Sequence, residues 1–177
     1  MQIPILLIDI DGVISLFGFA PGTPPDGKFL LVDGIPHFLS AAVAGRLRGL
    51  AAHFDLVWCS GWEEKADEYL PHALGLPAGL PHLTFDGADR DGRHWKLAAI
   101  DAHVGPHRPL AWIDDAFDAS CHRWAAERPG PTQLVTTDPA VGLTAAQAAG
   151  LQRWADALSG SVKGAVPPGA GAEPLQP

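Results

Sequence analysis

Two carboxylates, Asp9 and Asp11, stand one residue apart where the apolar run of residues 3–8 ends, and Gly12 follows them. The run reads as a strand buried on both faces, as at the centre of a parallel sheet. Two negative charges at the mouth of a buried strand repel unless something neutralises them. A divalent cation does this, and Mg²⁺ favours a few carboxylates together with phosphate oxygens and water. Gly12 lets the chain turn sharply off the strand and brings the backbone close to a ligand. The pattern suits an aspartate nucleophile beside a second acid, the arrangement behind aspartyl-phosphate chemistry. A strand end with two solvated acids is the plainer alternative, and the other candidate residues must decide.

The second strand-like run closes Val57-Trp58-Cys59-Ser60-Gly61-Trp62. In an open parallel sheet, ligands bind outside the carboxyl ends of the strands. Ser60 therefore falls on the edge that already holds Asp9. A hydroxyl there, with N–H groups opening the next helix, can hold a phosphoryl oxygen; a helix cap is the commoner use of such a serine. Cys59 reads as a buried strand thiol. Lys96 opens a helix after the third run, in Arg93-His94-Trp95-Lys96. The helix dipole disfavours a cation there unless an anion lies nearby; taken alone, Lys96 is a surface lysine. The fourth run ends Trp112-Ile113-Asp114-Asp115-Ala116-Phe117-Asp118. Three or four carboxylates converging on one sheet edge make little structural sense without a metal.

The elements that must position these residues follow from periodicity. Strand-like runs recur at 3–8, 55–59, 82–85, 109–113 and 133–136, with helical patterns at 36–53, 63–74, 95–103, 119–127 and 144–158. This alternation predicts a five-stranded parallel sheet with helices on both faces. Thr144, three residues before Gln147, gives the last helix a capping-box start. Residues 15–33 depart from the alternation, with two apolar arms, 16–19 and 29–32, around a Pro/Gly-rich stretch containing Asp26-Gly27. They predict a β-hairpin overhanging the acidic motif. Residues 159–177 have the composition of a disordered tail, leaving 1–158 as one domain.

Taken together, Asp9-Ile10-Asp11-Gly12-Val13, Ser60, Lys96 and Asp114-Asp115 resemble, in order and strand position, the haloacid dehalogenase-like (HAD) superfamily of hydrolases. The resemblance spans the start of the chain to about residue 140. It implies an α/β, Rossmann-like three-layer sandwich with a β-hairpin flap after the first strand. In that family's scheme Asp9 is the nucleophile and a metal ligand. Asp11 is the general acid and base, reaching the metal through its backbone carbonyl. Ser60 and Gly61 bind the phosphoryl group, and Lys96 holds the charge of Asp9 and the phosphoryl oxygens together. Asp114 binds Mg²⁺ directly, and Asp115 or Asp118 completes the shell. An Asp at position 11, able to give and take a proton, favours a phosphatase or phosphotransferase over a dehalogenase or an ATPase. The gaps between motifs leave no room for a cap domain, so the site is expected to be open. The contexts Ser60-Gly61-Trp62 and His94-Trp95-Lys96 are similar to a capless group associated with RNA-repair proteins. A domain that binds a phosphorylated ligand or a protein partner without turnover is the alternative.

Composition sets the outer limits. The formal charge of −8 over 177 residues argues against a surface built for nucleic acid, although a local basic groove remains open. The expected partner is thus a phosphorylated small molecule or the exposed phosphate end of a larger one. Phe17, Phe19, Trp62 and Trp95 lie near enough to the motifs to stack on a base; packing at the hairpin root is their plainer use. Cys59 and Cys121 form no metal-spaced pair and suit a reducing compartment. The apolar N-terminus lacks a basic segment and is interrupted by Asp9 and Asp11, so it does not read as a signal peptide. With no apolar stretch of membrane-spanning length, a cytoplasmic location is expected.

Overall fold

Four parallel strands carry the site, in the spatial order β5-β1-β6-β7. In the computed structural model, which describes residues 2–20, 22–85 and 92–161, these are β1 (Ile5–Ile8), β5 (Asp55–Trp58), β6 (Leu110–Asp114) and β7 (Thr132–Thr136). The neighbours β1 and β5 are not consecutive in the chain because β2 (Ser15–Leu16), β3 (Gly27–Val32) and β4 (Ile35–Ser40), which lie between them in sequence, form a separate antiparallel sheet. The helices are α1 (Ala41–Leu50), α2 (Lys65–Leu74), α3 (Leu97–Val104), α4 (Ala119–Glu127) and α5 (Ala145–Ser161). No helix among the described residues is long and apolar enough to cross a membrane.

The period of two along β1 divides the core. Leu6 and Ile8 join Val43, Leu47, Leu70 and Leu151 on one face, the side of α1, α2 and α5. Ile5 and Leu7 join Leu97, Ile100, Cys121 and Trp124 on the other, the side of α3 and α4. A strand buried on both faces has no polar positions, which is why β1 reads as an unbroken apolar run. The register Ile8↔Trp58 and Ile8↔Ile113 brings the ends of β5, β1 and β6 level with one another.

Two expectations are corrected. The run at 82–85 does not form a fifth strand: it contributes one parallel bridge, Trp58↔His82. The Trp58 N–H donates to Pro81 O and the Leu83 N–H donates to Trp58 O, and there the pairing ends. Pro81 has no N–H to extend such a ladder. The hairpin, too, is displaced along the chain. Its arms are β3 and β4, joined at Asp33-Gly34, whose φ values of 50° and 82° suit the two-residue turn that matches strand twist. The segment expected to be the first arm supplies only β2, which pairs with Phe38 and Leu39. Residues 36–40, expected to begin a helix, are therefore strand. Pro36 is tolerated because β2 reaches no further along β4 than Phe38. The helix starts later, where the Val43 N–H donates to Ser40 Oγ at 3.3 Å.

The capping box of α5 is present: the Gln147 N–H donates to Thr144 Oγ1 at 3.2 Å and the Thr144 N–H to Gln147 Oε1 at 2.9 Å. The helix runs on to Ser161, past the expected boundary at 159, and 162–177 lie outside the described residues.

Leu39 ties the antiparallel sheet to the main core and is fully buried. Leu39→Ala is expected to cost about 2–5 kcal/mol in chemical denaturation, from lost burial plus the cavity left behind. A loss below about 1 kcal/mol would show that the hairpin sheet is not packed on the core.

Candidate active site

Asp9 and Asp114 leave adjacent central strands at the same height, and the Asp9 N–H donates to Ile113 O at 3.0 Å. Each carboxylate has one oxygen fixed by backbone. The Ile10 N–H donates to Asp9 Oδ1 at 2.8 Å, and the Ala116 N–H donates to Asp114 Oδ1 at 3.0 Å. The other oxygen of each meets Lys96. Its Nζ lies 2.7 Å from Asp114 Oδ2 and 3.0 Å from Asp9 Oδ2. Lys96 directly precedes α3 and is 3% exposed, so the cation disfavoured at a helix start is held there by two buried carboxylates.

Charge balance at this point is incomplete. Asp115 joins Asp9 and Asp114 with ligand atoms within 4.8 Å of one another, so three acids face one ammonium. Burial pushes the Asp9 carboxyl up to about 6, against the pull of Lys96 and with the repulsion of Asp114. Burial and the Asp114 charge likewise raise Asp115. For Lys96, burial opposes the charged form, but Asp9 and Asp114 overcome it and hold the ammonium above its ordinary range. A cluster of hard oxygen donors with surplus negative charge fits a small divalent cation such as Mg²⁺.

Gly12 makes the third acid's approach feasible. Its φ is +72°, and a Cβ there would sit 2.3 Å from Asp115 Oδ2 and 2.7 Å from Asp115 Cβ. Any side chain would displace Asp115, whatever the cost of the backbone conformation. The turn is pinned by Thr137, buried, whose hydroxyl donates to Gly12 O at 2.9 Å.

The other sequence candidates fall around this cluster. The Cys59 N–H donates to Ile8 O at 2.8 Å, which places Ser60, 2% exposed, at the edge that carries Asp9. Ser60 does not cap α2, whose N-cap is Glu64. Gly61 lies next to it, and a Cβ there would sit 3.8 Å from Trp95 Cη2. Burial pushes the Cys59 thiol far above its ordinary range, as expected of an inert strand residue. Asp118 does not join the acids. Its Oδ1 accepts from the N–H groups of Ser120 and Cys121 at 2.7 and 3.1 Å and from the Ser120 hydroxyl at 2.6 Å, capping α4. Those bonds hold its carboxyl down at about 2. Of the alternatives left open by sequence, the geometry groups Asp115 with Asp9 and Asp114.

Asp11 turns its side chain elsewhere. Its Oδ2 accepts from Trp62 Nε1 at 3.0 Å, and its Oδ1 lies 3.3 Å from His37 Nδ1. His37 was hidden from the sequence reading by its placement in a helix; Asp33-Gly34 between apolar residues is the signal that assigns it to a strand. Thr137 gave no signal of its own. Among the aromatic candidates, Phe19 packs on Phe38 with centroids 4.9 Å apart, and Trp62 packs on His37. Trp95 remains 41% exposed beside the site, its ring 5.1 Å from Lys96 Nζ.

A Rossmann-like parallel sheet with acids at the carboxyl ends of its two central strands, bridged by a buried lysine, is the architecture of a HAD-type domain. The chain belongs to the family described as the HAD domain in Swiss Army Knife RNA repair proteins, whose model matches residues 5–148. The narrower resemblance carried by Ser60-Gly61-Trp62 and His94-Trp95-Lys96 is thus borne out. HAD domains are usually hydrolytic, often phosphatases or nucleotidases, and commonly use Mg²⁺. No curated protein matches the chain.

Asp118→Ala is expected to lower Tm by about 2–4 °C and to leave stabilisation by Mg²⁺ unchanged. Because its folded pKa of about 2 lies below the ordinary 3.8, the Asp118 contribution is present above the ordinary value and is lost as pH falls through the folded one. Asp115→Ala should instead lose much of the Mg²⁺-dependent shift in melting. Equal Mg²⁺ shifts in wild type and Asp115→Ala would remove Asp115 from the metal shell.

Proposed function

We propose that this chain is a Mg²⁺-dependent phosphomonoester hydrolase that works through a phospho-Asp9 intermediate. The observation that supports this most strongly is the buried Lys96 ammonium shared by Asp9 and Asp114, with a third acid left facing them. Asp9, Asp114 and Asp115, with the backbone carbonyl of Asp11, would hold the cation. When bound, it neutralises charge on the equatorial phosphoryl oxygens.

In the first step an Asp9 carboxylate oxygen attacks phosphorus. The bond from phosphorus to the ester oxygen breaks, and that oxygen takes the bonding pair and a proton from Asp11. In the second step Asp11, now a base, takes a proton from water as the water oxygen attacks phosphorus. The bond from phosphorus to Asp9 breaks, releasing phosphate and restoring the Asp9 carboxylate and the protonated Asp11. Lys96 holds the Asp9 charge in place and offsets charge on the phosphoryl group. Ser60 and the backbone at Gly61 bind its oxygens.

The substrate class is a phosphorylated small molecule or the exposed phosphate end of a larger one, admitted from the open strand edge. The family description names RNA repair proteins, and phosphate ends of RNA are our candidate within this class. A net charge of −8 restricts contact with such a substrate to its end rather than a long backbone track. The two free, buried cysteines fit work in the reducing cytoplasm.

A screen of nucleotides, sugar phosphates and 3′- and 5′-phosphorylated oligonucleotides tests the reading. Wild type with Mg²⁺ should release phosphate from at least one. Asp9→Asn, nearly isosteric, should keep the fold by circular dichroism and lose turnover by roughly 10⁴-fold or more. Substantial turnover by Asp9→Asn would mean that another group attacks phosphorus. Stabilisation by phosphate esters with no turnover in wild type would make the domain a binder instead.

A further inference from the structure

Both oxygens of the Asp11 carboxylate are engaged, and by side chains from two separate elements. Trp62, in the turn after β5, donates its indole N–H to Oδ2 at 3.0 Å. His37, on β4 of the hairpin, places Nδ1 at 3.3 Å from Oδ1 and 3.0 Å from Ser15 Oγ. Whenever Asp11 is ionised, as between the two steps, its oxygens can only accept, and Nδ1 then carries the proton in this contact. The rings of His37 and Trp62 meet edge to face with centroids 4.5 Å apart, which fixes each against the other.

This pairing is not a generic demand of burial. The indole N–H groups of Trp58 and Trp112 are also buried, and neither has a partner among the described residues. Trp62, by contrast, directs its own at Asp11. The hairpin that carries His37 is anchored over the same turn by an ion pair between Asp33, in the β3–β4 turn, and Lys65, at the start of α2.

We propose that His37 and Trp62 are positioning residues that clamp the Asp11 carboxylate by both oxygens, so that proton transfer at the ester oxygen depends on the docked hairpin. The inference rests on the reading of Asp11 as acid and base. A carboxylate free to rotate loses alignment with the leaving oxygen, and small misplacements of a reacting group are costly in rate. The clamp also gives the hairpin a role beyond covering the core, because its position is transmitted to the reacting acid by the 3.3 Å contact of His37 Nδ1 with Asp11 Oδ1.

The test compares kcat/KM, which reports the phosphorylation step, on an alkyl phosphate and on p-nitrophenyl phosphate. The alkyl ester needs its leaving oxygen protonated; the aryl ester scarcely does. His37→Ala is expected to lose roughly ten- to a hundredfold on the alkyl ester and little on the aryl ester, with Trp62→Phe behaving alike. His37→Asn, whose amide N–H can stand where Nδ1 does, should recover most of the loss. In the Asp11→Asn background, His37→Ala should have no further effect, since it acts only through that carboxylate. Equal losses on both esters, absence of rescue, or additive losses in the double variant would overturn the positioning role. The Trp62 indole N–H resonance supplies a readout independent of turnover. It should move in both Asp11→Ala and His37→Ala, and an unmoved resonance would overturn the clamp itself. A wild type that hydrolyses neither ester, with the resonance moved by Asp11→Ala, would sink the hydrolase reading and the acid–base role while leaving the contact in place.

Discussion

One ammonium between two carboxylates organises this molecule. Lys96 reaches Asp9 and Asp114 at once, and all three are buried at the carboxyl ends of the two central strands. Neither acid would be stable there alone, because desolvation penalises an unpaired buried charge by several kcal/mol (about 3–5 when a partner is removed). The pairing therefore demands that β1 and β6 lie in register and that α3 begin where it does. Leu97 and Ile100, buried under the sheet, supply that second condition by anchoring α3 immediately after the lysine. Packing and charge thus fix the same geometry.

The charge left over marks the candidate site. Two acids and one lysine would sum to −1, and Asp115 adds another negative charge at the same point. A fold selected for stability alone would not collect them. Gly12 shows that the crowding is built into the backbone, since only a residue without a Cβ admits Asp115 so close. The protein thus carries unfavourable electrostatics at one point, and a cation with a phosphoryl group would relieve them.

Much of this was legible from the sequence, for identifiable reasons. The doubly buried strands are apolar up to their carboxyl ends, so β1 and β6 announce themselves, and acids at the ends of two such runs weigh against a plain solvated strand end. Lys96 was ambiguous by itself and became informative only with the acids it must neutralise. The antiparallel sheet was misread because two Asp-Gly pairs, Asp26-Gly27 and Asp33-Gly34, compete as turns. The second wins through its flanking apolar arms, which pair from Gly27↔Ser40 to Val32↔Ile35. The misreading hid His37, whose contact with Asp11 joins residues far apart in sequence and leaves no local pattern. Thr137 was invisible for the same reason: its hydroxyl reaches Gly12 from the far end of the chain. The absent fifth strand is a milder error, since the apolar run at 82–85 is real but follows Pro81 and is paired at a single rung.

The central claim is that Asp9 becomes covalently phosphorylated, and it can be examined chemically. An aspartyl phosphate is an acyl phosphate, which borohydride reduces to homoserine, whereas a free carboxylate is untouched. The most favourable protein is Asp11→Asn given an aryl phosphate and Mg²⁺, because phosphorylation proceeds with a good leaving group while hydrolysis lacks its base. Acid quenching, borohydride treatment and peptide mass spectrometry should then find homoserine at position 9 and nowhere else. Release of phosphate with position 9 unmodified, or reduction at Asp114 or Asp115 in its place, would contradict the account.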